Sequence, residues 1–354
     1  MKKYLNSFCA VFVLAASLLV TGCKAPSGGG GGSGSGEIGG SGSGSGGESG
    51  KADVFKITSN GITLNGTLLK NTGEVCVINS PVIVSNSEKP EVYYDGFFTE
   101  DNSVTIMPFI MGKYEVTQEL YKAVMTGNAR GINPEPSYFK DSPDGNEIQK
   151  LRPVEGMSGY EAAYFCNELT KKTIGESEQV YTFTAQNKII MDITKKGYRL
   201  PTEGEWEFAA RGGDPAKPDW VYYFSGSERN YNSTTRVDAG LDSVGWYEKN
   251  SNNKTHQVGL KKPNRLDLYD MSGNVFEFIY GGYVWYWKDL PGSYPLVPKG
   301  ETTQTWRTDG DGRWSDIGGS CNYRAYDCAV FFHGEEIDDE IDRNYIGFRL
   351  CRTK

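Results

Sequence analysis

The sequence predicts an α+β domain with long ordered loops and little regular secondary structure. Three observations carry that reading. Residues 52–110 contain short alternating runs broken by Gly, Asn and Ser, a period-two pattern that reads as β-strand and tight turn. Three capped helix starts follow between residues 117 and 212. Beyond residue 213 the chain turns to loops rich in Asn, Asp, Gly, Tyr and Trp, with no convincing internal repeat.

Met1-Lys2-Lys3 is a basic start, and Phe8 to Val20 is uncharged and apolar. That is the anatomy of a secretory signal, too short to span a bilayer stably. Leu19-Val20-Thr21-Gly22-Cys23 resembles a bacterial lipobox. It implies a signal peptide over 1–22 and lipidation of Cys23, with several acyl chains giving a firm membrane anchor. Residues 23–51 are dominated by Gly and Ser, can bury nothing, and read as a flexible tether with a root-mean-square span of roughly 30 Å. The globular body is expected over 52–354. Its strands are expected at Phe55-Lys56-Ile57, Ile62-Thr63-Leu64, Val75-Cys76-Val77-Ile78, Val82-Ile83-Val84 and Val104-Thr105-Ile106.

Thr117 can cap a helix that puts Leu120, Tyr121, Val124 and Met125 on one face. Ser158-Gly159-Tyr160-Glu161 and Thr202-Glu203-Gly204-Glu205 are capping boxes. Ala162, Ala163, Cys166 and Leu169 follow the first at helical spacing. Trp206, Ala209 and Ala210 follow the second until Gly212. Arg199 stands just before that helix, and its planar fork suits a buried carboxylate such as Glu205 or Glu207.

Composition removes several functions. The net charge of −8 argues against nucleic acid as a partner, because phosphates call for a basic face. His256 and His333 are the two histidines, so no site can use three His ligands. Of seven Cys, Cys9 falls in the signal and Cys23 in the lipid anchor. The remaining five, Cys76, Cys166, Cys321, Cys328 and Cys351, leave at least one thiol unpaired within the chain.

Five blocks occur in order: Met111 to Thr117, Arg199 to Glu207, Asp267 to Phe278, Gly318-Gly319-Ser320 and Ile346-Gly347-Phe348-Arg349. Together they resemble the formylglycine-generating enzyme (sulfatase-modifying factor) family over about residues 105–354. The resemblance implies a C-type-lectin-like fold of the formylglycine-generating-enzyme type. Phe276 and Phe278 depart from the pattern, standing where Trp is common. Asp270, Asn274 and Glu277 among aromatics are hard oxygen donors of the kind that suits Ca²⁺. By resemblance, a structural Ca²⁺ would be held by the carboxylates of Asp270 and Glu277 and the carbonyls of Gly273 and Val275. Cys166 and Cys351 lie near positions bridged in some relatives, leaving open a disulfide or two buried thiols.

Enzymes of the family oxidise a substrate cysteine to formylglycine with copper held by two thiolates, soft ligands that select Cu(I). Counted from Gly318, Cys328 falls on the second of those cysteines and Tyr323 on the first. A phenol is a hard, mostly protonated ligand, so no copper is expected. Cys321 could pair with Cys328 only after the intervening loop rearranged. The iron-dependent ergothioneine branch needs more histidine than the chain carries. A copper-dependent oxidase acting on cysteinyl peptides of sulfatases is therefore the alternative reading.

The leading reading is non-catalytic. Residues 321–345 mix Tyr, Asp, Asn, Arg, Phe and His with the acidic run Glu335-Glu336 and Asp338-Asp339-Glu340, a composition of recognition surfaces. One branch of the family, the variable proteins of diversity-generating retroelements, joins this fold to a diversified C-terminal region and includes a lipoprotein. The resemblance implies a binding region over about 313–350. It would display Tyr323, Arg324, Tyr326, Asp327, Phe331, Phe332 and His333 to an unidentified protein or glycan ligand. Lys24 lacks the acidic character of an inner-membrane retention signal, so the expected place is the cell envelope, lipid-anchored at the outer membrane and exposed at the surface.

Overall fold

The computed structural model describes residues 57–59, 62–64, 74–85, 96–98, 103–184, 189–280, 294–295, 303–305, 315–334 and 344–354. The signal-like segment, Cys23, the tether and the acidic run at 335–340 lie outside the described residues. The described residues belong to the unit Gly50–Lys354.

Each expected helix start is realised by its cap. Helix α1, Gln118–Met125, begins where Thr117 Oγ1 accepts from the Leu120 amide at 3.3 Å. Helix α2, Gly159–Thr173, carries a reciprocal box: the Glu161 amide donates to Ser158 Oγ at 3.2 Å, and the Ser158 amide donates to Glu161 Oε2 at 2.8 Å. Helix α3, Glu203–Ala210, repeats the device with Thr202 and Glu205, at 3.3 and 2.9 Å. It stops at Gly212, whose φ of +82° lies in the left-handed region. A fourth, shorter helix was not expected: α4, Ala239–Val244, is capped by Asp238 Oδ1, which accepts from the Gly240 and Leu241 amides.

The sheets are small. Strand Phe109–Glu115 pairs antiparallel with Glu74–Cys76 on one side and with the terminal strand Arg349–Thr353 on the other. Strand Phe276–Ile279 lies between Ser315–Ile317, antiparallel, and Ile346–Gly347, parallel. The last of the family-like blocks thus sits in both sheets, which brings Arg349 to Glu277. Tyr181–Phe183, Ile189–Asp192 and Thr303–Thr305 form a third sheet, and Val82–Ser85, Ser103–Ile106 and Tyr294–Pro295 a fourth. Ile57–Ser59 pairs with Ile62–Leu64 as a separate hairpin.

Packing explains the first two capped helices. Tyr121 of α1 stacks on Phe165 of α2 at 5.1 Å, and Phe165 meets Phe348 edge-on at 5.3 Å. Helix α3 differs, because every one of its residues is buried. Three are glutamates, and buried carboxylates demand partners. Glu205 takes both arms of Arg199 at 2.6 and 2.7 Å, as the Arg199 fork foretold. Glu207 instead accepts from Arg211 Nε and the Phe97 amide, both at 2.7 Å. Glu203 lies 3.1 Å from the His333 ring. Trp206 of the same helix donates to Glu277 at 2.7 Å, locking α3 to the sheet beneath the C-terminal turn.

Candidate functional site

The C-terminal segment leaves strand Ser315–Ile317 through two glycines that no other residue could replace freely. Gly318 and Gly319 have φ of +96° and +76°. A Cβ on Gly319 would sit 2.5 Å from the Asp327 carbonyl oxygen and 2.6 Å from Cys328 Cα. The chain folds back on itself there and enters a short 3-10 helix, Ala325–Cys328.

Asp327 builds the entry to that helix. Its carboxylate accepts from the Arg324 amide at 3.2 Å, from Arg324 Nε at 3.0 Å and from Arg324 Nη2 at 3.2 Å. The Arg324 side chain is 74% exposed while that of Asp327 is 4% exposed, so a buried carboxylate pins an outward guanidinium. Tyr323 is exposed and meets the core ring of Phe276 edge-on at 4.8 Å; its carbonyl accepts from the Glu248 amide at 3.0 Å. Tyr326, also exposed, lies against half-buried Phe332 at 5.8 Å and Tyr223 at 6.3 Å.

The seven expected display residues therefore divide. Tyr323, Arg324 and Tyr326 face outward, and Phe332 supports them from a half-buried position. The other three correct the expectation. Asp327 is buried as the Arg324 anchor. Phe331 is buried against Tyr223 at 5.2 Å, because an apolar ring next to the core is worth more inside than out. The His333 side chain is 5% exposed and is held by Glu203. Burial alone would lower the His333 pKa, but Glu203, Glu207 and Asp316 outweigh it and raise it. Burial also pushes the carboxyl of Asp316 up to about 7.

The residues at the copper position do not fit that metal. Cys321 and Cys328 are fully buried, and burial pushes both thiols above their ordinary range, towards the neutral form. Soft-metal binding needs thiolates with access to the ion. The Cys321 carbonyl accepts from Ser251 Oγ and its amide donates to the Asn274 carbonyl at 2.9 Å, which fixes its backbone on two sides. Tyr323, on the other expected position, is exposed and packs edge-on against Phe276.

The calcium set fits poorly too. Glu277 is wholly buried and receives Arg349 Nε on Oε2 and Nη2 on Oε1, both at 2.6 Å, besides the Trp206 indole. The guanidinium already stands where a cation would have to approach this carboxylate. Asp270 Oδ2 accepts from the Gly259 amide at 2.7 Å, while its buried Oδ1 has no hydrogen-bond partner. The Gly273 and Val275 amides donate to the Gly318 carbonyl at 2.8 Å and to Glu115 Oε1 at 3.3 Å, bonds that fix the loop without involving the two carbonyls expected to face a metal. Arg349 also binds the Gly112 and Tyr269 carbonyls, so this cluster ties four parts of the chain together with its own cation. Cys166 and Cys351 are both free, buried thiols.

The loop 247–256 was missed as a support for this turn. Besides holding Cys321 and Tyr323, it is fastened by His256, whose ring nitrogens lie 2.8 Å from Glu147 Oε1 and 2.8 Å from the Ser251 carbonyl. A lone histidine in a loop carries no periodic signal that could have revealed this.

Known proteins share this architecture. Treponema denticola variable protein 1 matches with a TM-score of 0.54 at 28% identity, covering 78% of this chain and 100% of that one. The structure of CarF, at 22% identity and a TM-score of 0.54, shows the same fold over 80% of this chain and 98% of its own. The chaperone protein LppX of Paenibacillus barcinonensis is 34% identical over 246 residues, 60% of this chain and 72% of that protein. The formylglycine-generating enzyme of Thermomonospora curvata is 31% identical over 144 residues, 38% of this chain and 45% of the enzyme. The fold is α+β, of the formylglycine-generating-enzyme type with long loops. The sulfatase-modifying factor enzyme 1-like domain matches residues 65–354, and the chain belongs to that family.

Proposed function

We propose that the chain is a lipid-anchored, surface-displayed binding protein that does no redox chemistry and captures a protein or glycan through its C-terminal turn. In this reading Cys23 carries the anchor, residues 23–51 hold the body off the outer membrane, and Tyr323, Arg324 and Tyr326 meet the ligand. The likeness to Treponema denticola variable protein 1 supports assignment to the variable proteins of diversity-generating retroelements. The name of LppX, a chaperone, is compatible with binding without turnover.

One observation carries the proposal. The two sulfurs nearest the family's copper position are fully buried, where burial favours the thiol over the thiolate, while large aromatic and guanidinium side chains of the same turn are exposed. The arrangement suits contact and lacks a reachable soft donor pair.

The test sets this reading against copper oxidation. The full chain is titrated with Cu(I) under reducing conditions and then incubated in air with a peptide carrying a sulfatase-type cysteine. The expected result is no tight copper site dependent on Cys321 and Cys328, and no aldehyde in the peptide by mass spectrometry. Stoichiometric copper with conversion of cysteine to formylglycine overturns the proposal.

A further inference from the structure

A second group of exposed side chains borders the C-terminal turn and comes from elsewhere in the chain. Tyr231–Asn232 and Val237–Asp238 form a short antiparallel hairpin. Just before it, the Arg229 guanidinium lies between two rings, 5.0 Å from the Tyr223 centroid and 5.1 Å from the Tyr231 centroid. Its Nε is 3.8 Å from Oδ2 of Asp238, the fully buried cap of α4. Tyr223 is also the ring beside Tyr326, at 6.3 Å. Exposure is 42% at Tyr231 and 46% at Tyr326.

From this juxtaposition we infer that Arg229 and Tyr231 form the second half of the ligand face, and that the completed face docks on a protein surface presenting carboxylates. The inference rests on the binding role proposed above and gives it a partner class. Both arginines share one construction. A buried carboxylate lies behind each: Asp327 hydrogen-bonds Arg324 at 3.0 and 3.2 Å, and Asp238 attracts Arg229 across 3.8 Å without a hydrogen bond. A guanidinium has five N–H donors and no acceptor, and its fork matches a carboxylate. Arg229 is further held by stacking on two rings, so little side-chain freedom remains to be lost on docking. Tyrosine and arginine together are the side chains that dominate protein interfaces. Of the neighbouring carboxylates, Glu228 is exposed and Glu248 is engaged by Lys249 at 3.2 Å.

The test uses fluorescent poly-L-glutamate as the probe, with poly-L-lysine and heparin as comparators, and the full chain as receptor. Poly-L-glutamate is expected to bind best and to weaken as salt rises. Arg229→Lys keeps the charge but loses the stacked fork; it is expected to weaken binding about tenfold, as is Tyr231→Ala. Because Arg229 touches buried Asp238, thermal unfolding of each variant is recorded, and Tyr231→Ala on the exposed hairpin gives an independent readout. If Tyr323→Ala and Tyr326→Ala abolish binding while Arg229→Lys and Tyr231→Ala bind normally, the hairpin is no part of the face and this inference falls, though the binding role stands. Preference for poly-L-lysine or heparin, or no binding to any probe, overturns the assigned partner, leaving the copper and aldehyde assay to judge the broader role.

Discussion

Arg349 shows how much one buried residue can decide. It and Glu277 are essentially fully buried, joined by two bonds of 2.6 Å, and the remaining guanidinium donors serve the Gly112 and Tyr269 carbonyls. Paired this way the charges offset their own desolvation, but neither survives alone. Arg349→Met should therefore lower the unfolding free energy by about 3–5 kcal/mol in urea titration, the usual loss when half of a buried pair is removed. The same logic predicts that chelators leave the native protein unaffected, since the cation beside Glu277 is covalently part of the chain. EDTA should leave the urea midpoint unchanged. A midpoint that drops with EDTA and recovers with added calcium would show a metal sharing the cluster, against this account. Sequence alone could not expose the pair, because 72 residues separate the partners and only strand pairing brings them together. Asp270 and Glu277 show their oxygens in the sequence, but the guanidinium that claims Glu277 is hidden until the last strand closes the sheet.

At the scale of elements, the turn from Gly318 to Cys328 is held by its glycines, which fix where its exposed side chains stand. Gly319 is its tightest point, and an added methyl would meet backbone atoms that no rotamer change can move aside. Alanine there also takes on a left-handed φ, costing about 1–3 kcal/mol before the clash is counted. Gly319→Ala should lose at least about 2 kcal/mol of stability, whereas Tyr326→Ala on the exposed side should lose less than about 1 kcal/mol. Equal losses in parallel unfolding curves would mean that the turn and its exposed side chains are not separable. The caps of α1, α2 and α3 were legible because capping is local chemistry written within four residues. The inward course of Asp327, Phe331 and His333 was not, because an irregular loop has no period to tell its two sides apart. Arg229 and Tyr231 were hidden for a related reason: they lie about 90 residues before the turn that they border.

For the molecule as a whole, the buried acids set a pH dependence with a definite sign. Burial raises Asp316 to about 7 and, despite hydrogen bonds from the Tyr138 and Phe139 amides that pull the other way, Glu155 to about 7. In the unfolded chain these groups titrate near 4. Between those limits the folded state holds protons that the unfolded state has released, so stability falls as pH rises from about 4 to about 7. His333 acts in the same direction. Its raised folded pKa contributes stability that is complete below about 6.5 and is lost as pH climbs through the folded value. The lowered carboxyls act the other way: Asp144 loses its stabilisation from the Lys254 hydrogen bond as pH falls through its folded value, and Glu205, despite burial, is lowered by Arg199 and behaves alike. Their loss belongs below about pH 4, outside this window. Each buried acid contributes up to about 1.4 kcal/mol per pH unit, and partial titration near the upper limit reduces that. The unfolding free energy from urea titration should thus rise on going from pH 7.5 to pH 5.5, by an amount on the order of 4 kcal/mol for the two acids together. Asp316→Asn should flatten the rise, because the amide stays neutral in both states. A midpoint that falls over this interval in the native protein would mean that Asp316 and Glu155 stay ionised in the folded state, against this account.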